Sequence, residues 1–432
     1  VDKILNKIVK AGEKYGKVTA VLNAVNQTSL VYDNGLLKNT VEGIENSLCI
    51  RLSKGNRFGY ATTTDTDNWK TCLKNAVKVL MASKPLEQQI SLSNTATKFK
   101  PIGVYSSRVK SISTAKLFKL GEKLLYSSKS YDKRIKIPSA TITKLQGNQY
   151  FANSNGICVS EDATIFSATS ENVIETSTGS DVKISHDIFN VAKIGKNAAE
   201  MCVNSINPKP VETGKMDLIL DYFAFASLIE EVLVPALSAD EVQSKKSFLC
   251  GKLGKKVFSE NINITDDGVT PHGLFTGKID MEGTPKQKTI LVENGVVKNF
   301  MYDIYSAKKD KTNSTGNCMS LEKLPSVDPS NFIIEPGKLS REAIIESCSK
   351  GILAPFLFGT HVINSVTGDV SVGAENGFLI KNGKIVHPIK QAMVSFNLFE
   401  ALKKIDALGN NQRQESSAVC PTIKLSNIQV VG

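Results

Sequence analysis

Two adjacent carboxylates, Glu230 and Glu231, lie inside the apolar run FAFASLIEEVLVPALSA at 223–239. A carboxylate on a buried helix can act as a general base when its pKa is raised or a metal-bound water lies beside it. A metalloprotease helix would frame that glutamate with histidines, and the run contains none. Phe225, Leu228, Ile229, Val232, Leu233 and Leu237 recur at helical spacing. Periodicity alone therefore makes the two acids the polar strip of an amphipathic helix ending near Pro235.

Other chemistry is sparse. The four histidines, His186, His272, His361 and His387, never fall within a helical turn of one another, which excludes a two-histidine helix site. GDVSVG at 368–373 has the wrong spacing for a nucleophile elbow, so Ser371 reads as a turn serine. GKLGKK at 251–256 lacks the spacing and the hydroxyl of a P-loop. Eight cysteines are scattered singly with no CxxC pair, a pattern of reduced and mostly buried thiols. Cys318 in TGNC and Cys420 in VCPT lie beside turn-rich sequence, where exposure would make them reactive thiols.

These residues must be positioned by elements whose signals alternate along 432 residues, a length that predicts two or three domains. Ile4, Leu5, Ile8, Val9 and Ala11 share one helical face, after which period-two runs are joined by an Asn34-Gly35 hairpin turn. Asp67 is placed to cap a helix carrying Trp69, Leu73, Ala76, Val77 and Leu80. The division is an N-terminal α+β unit at 1–84, a linker at 85–112, a central α+β unit at 113–210 and a β-rich domain at 215–432. ILVENGVVKNF and FLIKNGKIVHPI echo the first hairpin, and without a longer shared period they read as recurrent Asn-Gly turns.

Net charge is +11, yet the basic residues are dispersed, and the tightest runs at 306–311 and 243–247 lack interleaved aromatics. Nucleic acid is not the expected partner. ILAPFLFG falls well short of the ~20 residues of a membrane helix, and the amphipathic N-terminus is unlike a signal peptide, so the expected location is the cytoplasm.

Three stretches carry a resemblance: MEGTPKQKTILVENGVVKNFMYDIYSAKKDKTNSTGN at 281–317, REAIIESCSKGILAP at 341–355 and VTGDVSVGAENGFLIKNGKIVHPI at 366–389. The chain resembles the TldD/PmbA family, also labelled modulator of DNA gyrase, which includes zinc metalloproteases. The resemblance implies an α+β fold of N-terminal and central mixed units with antiparallel sheets and a β-rich C-terminal domain. It also implies that the active branch's HExxxH motif falls on Ile229, Glu230 and Val234, with both ligand positions aliphatic. The branch's C-terminal cysteine ligand falls near Cys420, and a single thiol is too few ligands for zinc. The branch implied is PmbA, or TldE. Its members are expected to bind no metal and to pair with an HExxxH-bearing TldD-like paralogue, or as a homodimer, with zinc in the partner and unfolded or small peptides as substrate. A stand-alone peptidase using Cys318 or Cys420, and a nucleic-acid-associated regulator, are the alternatives.

Overall fold

The computed structural model describes residues 2–322 and 326–432. Helix α1 (Asp2–Gly12) leads into strands β1 (Lys17–Asp33), β2 (Leu36–Lys54) and β3 (Arg57–Thr63), then α2 (Trp69–Ala82). After an extended segment come α3 (Ser107–Ser111), α4 (Thr114–Tyr131), β4 (Lys136–Asn153), β5 (Cys158–Ile174), β6 (Ser177–Ser185) and α5 (Val191–Asn204). The Asn34-Gly35 turn has φ of 51° and 74°, the two positive values of a type I′ hairpin, and Asn294-Gly295 and Asn382-Gly383 repeat it.

The N-terminal and central segments build one antiparallel sheet in the order β3-β2-β1-β4-β5-β6. β1 pairs with β4 from Thr19 opposite Asn153 to Asp33 opposite Ser139. The strands are unusually long, 17 to 19 residues for β1, β2, β4 and β5, against a usual ~5–6. Length lets one strand serve two helix layers. The first half of β1, through Val18, Ala20 and Leu22, packs with Leu5, Ile8, Leu73 and Ala76 under α1 and α2. Its second half, through Leu30 and Tyr32, packs with Leu117, Leu124 and Ile194 under α4 and α5. Gly59 in β3 allows α2 to close, because a Cβ there would strike the backbone of Leu80 and Ala76.

Two local expectations change. Asp65, not Asp67, accepts the first capping bond, from Asn68 N–H at 3.3 Å, because a 3-10 turn at Thr66–Asn68 precedes α2. The 85–112 segment is a packed strap, with Ile90, Leu92 and Val104 buried. It donates Gln88 Nε2 to Tyr305 O at 2.8 Å and accepts His272 N–H at Ile102 O at 2.8 Å.

The C-terminal region begins with β7 (Gly214–Leu220) and α6 (Tyr222–Leu228). It holds a six-stranded and a nine-stranded sheet. Leu228, Ile229, Leu233 and Leu237 of the helical segment share a core with Leu291 and Phe332 of the first sheet and Val372, Val394 and Leu425 of the second. No helix among the described residues is long and apolar enough to cross a membrane.

Alternation along the long strands turns Val21, Cys49 and Phe151 to the face opposite the helices, where they meet Ile279 and Leu321 of the C-terminal region. Beside them Arg51 Nη2 donates to Glu282 Oε1 at 2.6 Å, with side chains only 2% and 1% exposed. Arg51→Met leaves the Glu282 carboxylate uncompensated, and urea denaturation is expected to register a loss of about 3–5 kcal/mol. Arg51→Met combined with Glu282→Leu is expected to recover part of it, whereas a single variant as stable as the parent would deny the pair its role.

Candidate functional site

The run that opens the C-terminal region is not a uniform α-helix. α6 gives way to a π-helical turn at Ile229–Leu233, in which Val234 N–H donates to Ile229 O, before a last α-helical turn at Val234–Leu237. Pro235 supplies a local cause, since it has no N–H for the ordinary bond to Glu231 and its ring crowds that carbonyl. In an α-helix, residues five apart diverge by about 140° around the axis. The i→i+5 bond closes the turn at that spacing and stacks positions 229 and 234 on one side.

That side is apolar. Ile229 is fully buried and Val234 nearly so, both within the C-terminal core. Glu230 is half-buried and accepts a hydrogen bond from Ser417 Oγ at 3.0 Å, while Glu231 is also half-buried. Cys420 reaches the same neighbourhood, its Sγ 3.3 Å from Tyr222 O. Burial, then the carboxylates of Glu230 and Asp221, push its thiol far up. A zinc ion would require donor atoms where Ile229 and Val234 present methyl groups, so these residues do not fit one. Among the described residues, no group of three or more His, Cys, Asp and Glu is arranged to hold a metal ion.

The exposure expected of Cys318 and Cys420 is absent, since both are fully buried. Cys318 lies at the domain interface, its backbone N–H on Asp280 Oδ2 at 3.1 Å, and burial together with Glu282 and Asp280 raises its thiol well above the ordinary value. Such thiols carry little thiolate at neutral pH and make poor nucleophiles. His186 is a core histidine, its ring nitrogens 2.7 Å from Thr164 O and 3.1 Å from Gly273 O. Ser371 sits within the strand Asp369–Glu375, not in a turn, and pairs with Ser395 Oγ at 3.2 Å.

A model of the PmbA/TldA metallopeptidase C-terminal domain matches residues 213–432, and models of domain 1 and the central domain match 18–80 and 107–206. The chain belongs to the PmbA/TldD family. It is 32% identical to an uncharacterized protein of Methanocaldococcus jannaschii, over 97% of this chain and 98% of that one. A protein of Methanothermobacter thermautotrophicus named metalloprotease is 26% identical, over 89% and 86% of the two chains. The crystal structure of TldE from Thermococcus kodakarensis superposes with a TM-score of 0.92 at 24% identity, covering 99% of this chain and 100% of that one, and so shares the PmbA/TldD fold.

One ionisable cluster was invisible as a sequence motif, because Asp266, Asp280, Glu282 and Asp303 are scattered along the C-terminal region and meet only once it is folded, with Arg51 of the other sheet against Glu282. Asp280 accepts the backbone N–H groups of Glu282 and Thr284 at 2.9 and 2.8 Å, and Glu282 Oε2 accepts that of Ile304 at 2.9 Å. Burial pushes Asp266 up to about 7, and burial reinforced by Glu282 pushes Asp280 up to about 7 and Asp303 up to about 6. The stretch MEGTPKQKTILVENGVVKNFMYDIYS carries only Glu282, Glu293 and Asp303 and is hardly denser in acids than the chain as a whole, so no sequence signal could have found the cluster.

Two outcomes follow. Each raised carboxyl binds a proton in the folded chain at a pH where the unfolded chain, near 4, has lost it. Its contribution is therefore present at low pH and lost as pH rises through about 6 to 7. Urea midpoints are expected to fall from pH 6 to pH 8, with a shallower slope for Asp280→Asn; a rising midpoint would contradict the assignment. Secondly, Ile229→His with Val234→His places two imidazoles on the widened turn beside Cys420. This variant is expected to hold about one zinc per chain against a chromophoric chelator, and failure to retain zinc would show that the turn does not present the two positions together.

Proposed function

We propose that this PmbA/TldD chain is the metal-free, non-catalytic subunit of a TldD/TldE-type zinc metalloprotease that acts on unfolded or small peptides. The observation that carries the reading is the π-helical turn at Ile229–Leu233, where Ile229 and Val234, the two positions that the family motif gives to ligands, are buried aliphatic side chains with no donor. Glu230 keeps the position of a general base and accepts a bond from Ser417 Oγ; in this reading no metal is held beside it for it to serve. In this reading a TldD-like partner bearing HExxxH supplies zinc, its hydroxide and the base, and this chain completes the enclosure and guides peptide.

The alternatives have less support. A thiol peptidase has no exposed nucleophile in Cys318 or Cys420, and the excess basic charge is dispersed instead of gathered beside aromatic side chains.

Purified alone, the chain is expected to carry no stoichiometric zinc by atomic emission and to leave a fluorogenic peptide uncut. Mixed with an HExxxH-bearing relative, it should raise that partner's turnover. Zinc retained by this chain alone, and lost together with turnover on Cys420→Ala, would overturn the proposal.

A further inference from the structure

A second site lies where the central segment meets the C-terminal region. A cavity of about 580 Å³ opens between β6 and α5 on one side and the strand Lys384–Pro388 on the other. A neighbouring cavity of about 410 Å³ adjoins this groove at Pro388, which lines both. Tyr222 and Phe223, from the start of the helix discussed above, line the larger cavity.

Three features of this groove point to an extended chain as occupant. Lys384–Pro388 ends the nine-stranded sheet and pairs with a strand on one side only. Ile385 and Val386 on it are 46% and 52% exposed, and an open edge carrying β-branched residues invites strand addition. The segment between α5 and β7 already uses this backbone: Lys209 N–H donates to Pro388 O at 3.0 Å, and Lys390 N–H donates to Lys209 O at 2.8 Å. The edge thus accepts extended backbone in this very fold.

Charge specifies the occupant further. Asp181 is paired with Arg413 at 2.8 Å, and Asp221 with Arg341 at 2.8 Å. Glu200 also lines the cavity, is exposed on α5, and has no ion pair among the described residues. Arg413 is shared with Glu415, so Asp181, Asp221, Glu200 and Glu415 face only two guanidiniums, and this neighbourhood is net negative on a chain of net charge +11. Fixed negative charge in a concave site favours a cation and rejects an anion.

We propose that this groove binds an extended peptide segment with a basic side chain flanked by apolar ones. Its backbone extends the sheet at Ile385–His387, its apolar side chains lie against Tyr222 and Phe223, and its cation faces Glu200. The proposal rests on the reading that the chain handles peptides, and it gives the metal-free chain a substrate-holding surface of its own.

The test uses the full chain without any partner and a fluorescein-labelled peptide alternating leucine and lysine, read by anisotropy. Glu200→Gln is expected to weaken binding about fivefold, and Glu200→Lys by more than about tenfold. A glutamate-for-lysine peptide should bind less well than the lysine peptide, and Ile385→Ser with Val386→Ser should weaken both. Equal affinity of wild type and Glu200→Lys, or lysine amide binding as tightly as the peptide, overturns the proposal. Circular dichroism melts confirm that each variant is folded. No peptide binding by a chain that still activates an HExxxH-bearing partner removes this inference and leaves the pairing standing. Binding that obeys the Glu200 dependence without any activation supports the groove and removes the pairing.

Discussion

The buried Arg51–Glu282 pair joins two parts of the molecule that share no strand. Arg51 stands on the helix-bearing sheet and Glu282 on the C-terminal region, and neither charge reaches water. A pair this desolvated holds only while its geometry holds, so the docking of the two bodies is all-or-none at that point. Around it, Asp280 and Glu282 gather the backbone N–H groups of 282, 284, 304 and 318. The proton-binding acids and the buried Cys318 thiol owe their character to that closure.

The helical segment Tyr222–Leu237 is held by different means. Its core face is shared by both C-terminal sheets. Glu230 is tied to Ser417, and Asp221, just ahead of the segment, to Arg341 and Thr422. A π-helical turn inside a helix is ordinarily a strained insertion. Here it is filled on its inner side by Ile229 and Val234, so packing supports a backbone form that ligand bonds would otherwise have to justify.

What the sequence disclosed followed from local physics. Asn-Gly pairs fixed three hairpin turns, and apolar spacing located α1 and α2, because those signals act over a few residues. The aliphatic residues at 229 and 234 could be read directly once a family motif was laid on them. The widened turn could not be read, since Pro235 indicates a broken bond but not which longer bond replaces it. Asp67 was a poorer guide than Asp65 because a 3-10 turn shifted the start of the helix. Cys318 and Cys420 sit beside turns yet are covered by distant segments, and burial is a property of the assembled fold. Glu200 drew no notice for the same reason: its lack of a partner exists only in three dimensions.

The sharing of one sheet by two sequence segments also bears on how the chain comes to be folded. β1 ends at Asp33, but its inner neighbour β4 is not complete until Asn153 has been made. During synthesis at about 5–20 residues per second, that edge of β1 stands unpaired for roughly 6 to 24 seconds. The hairpin of β1 and β2 forms early, since its turn is local, while the ladder that completes it has high contact order. A nascent chain of this protein therefore presents an adhesive strand to its surroundings before β4 arrives to cover it.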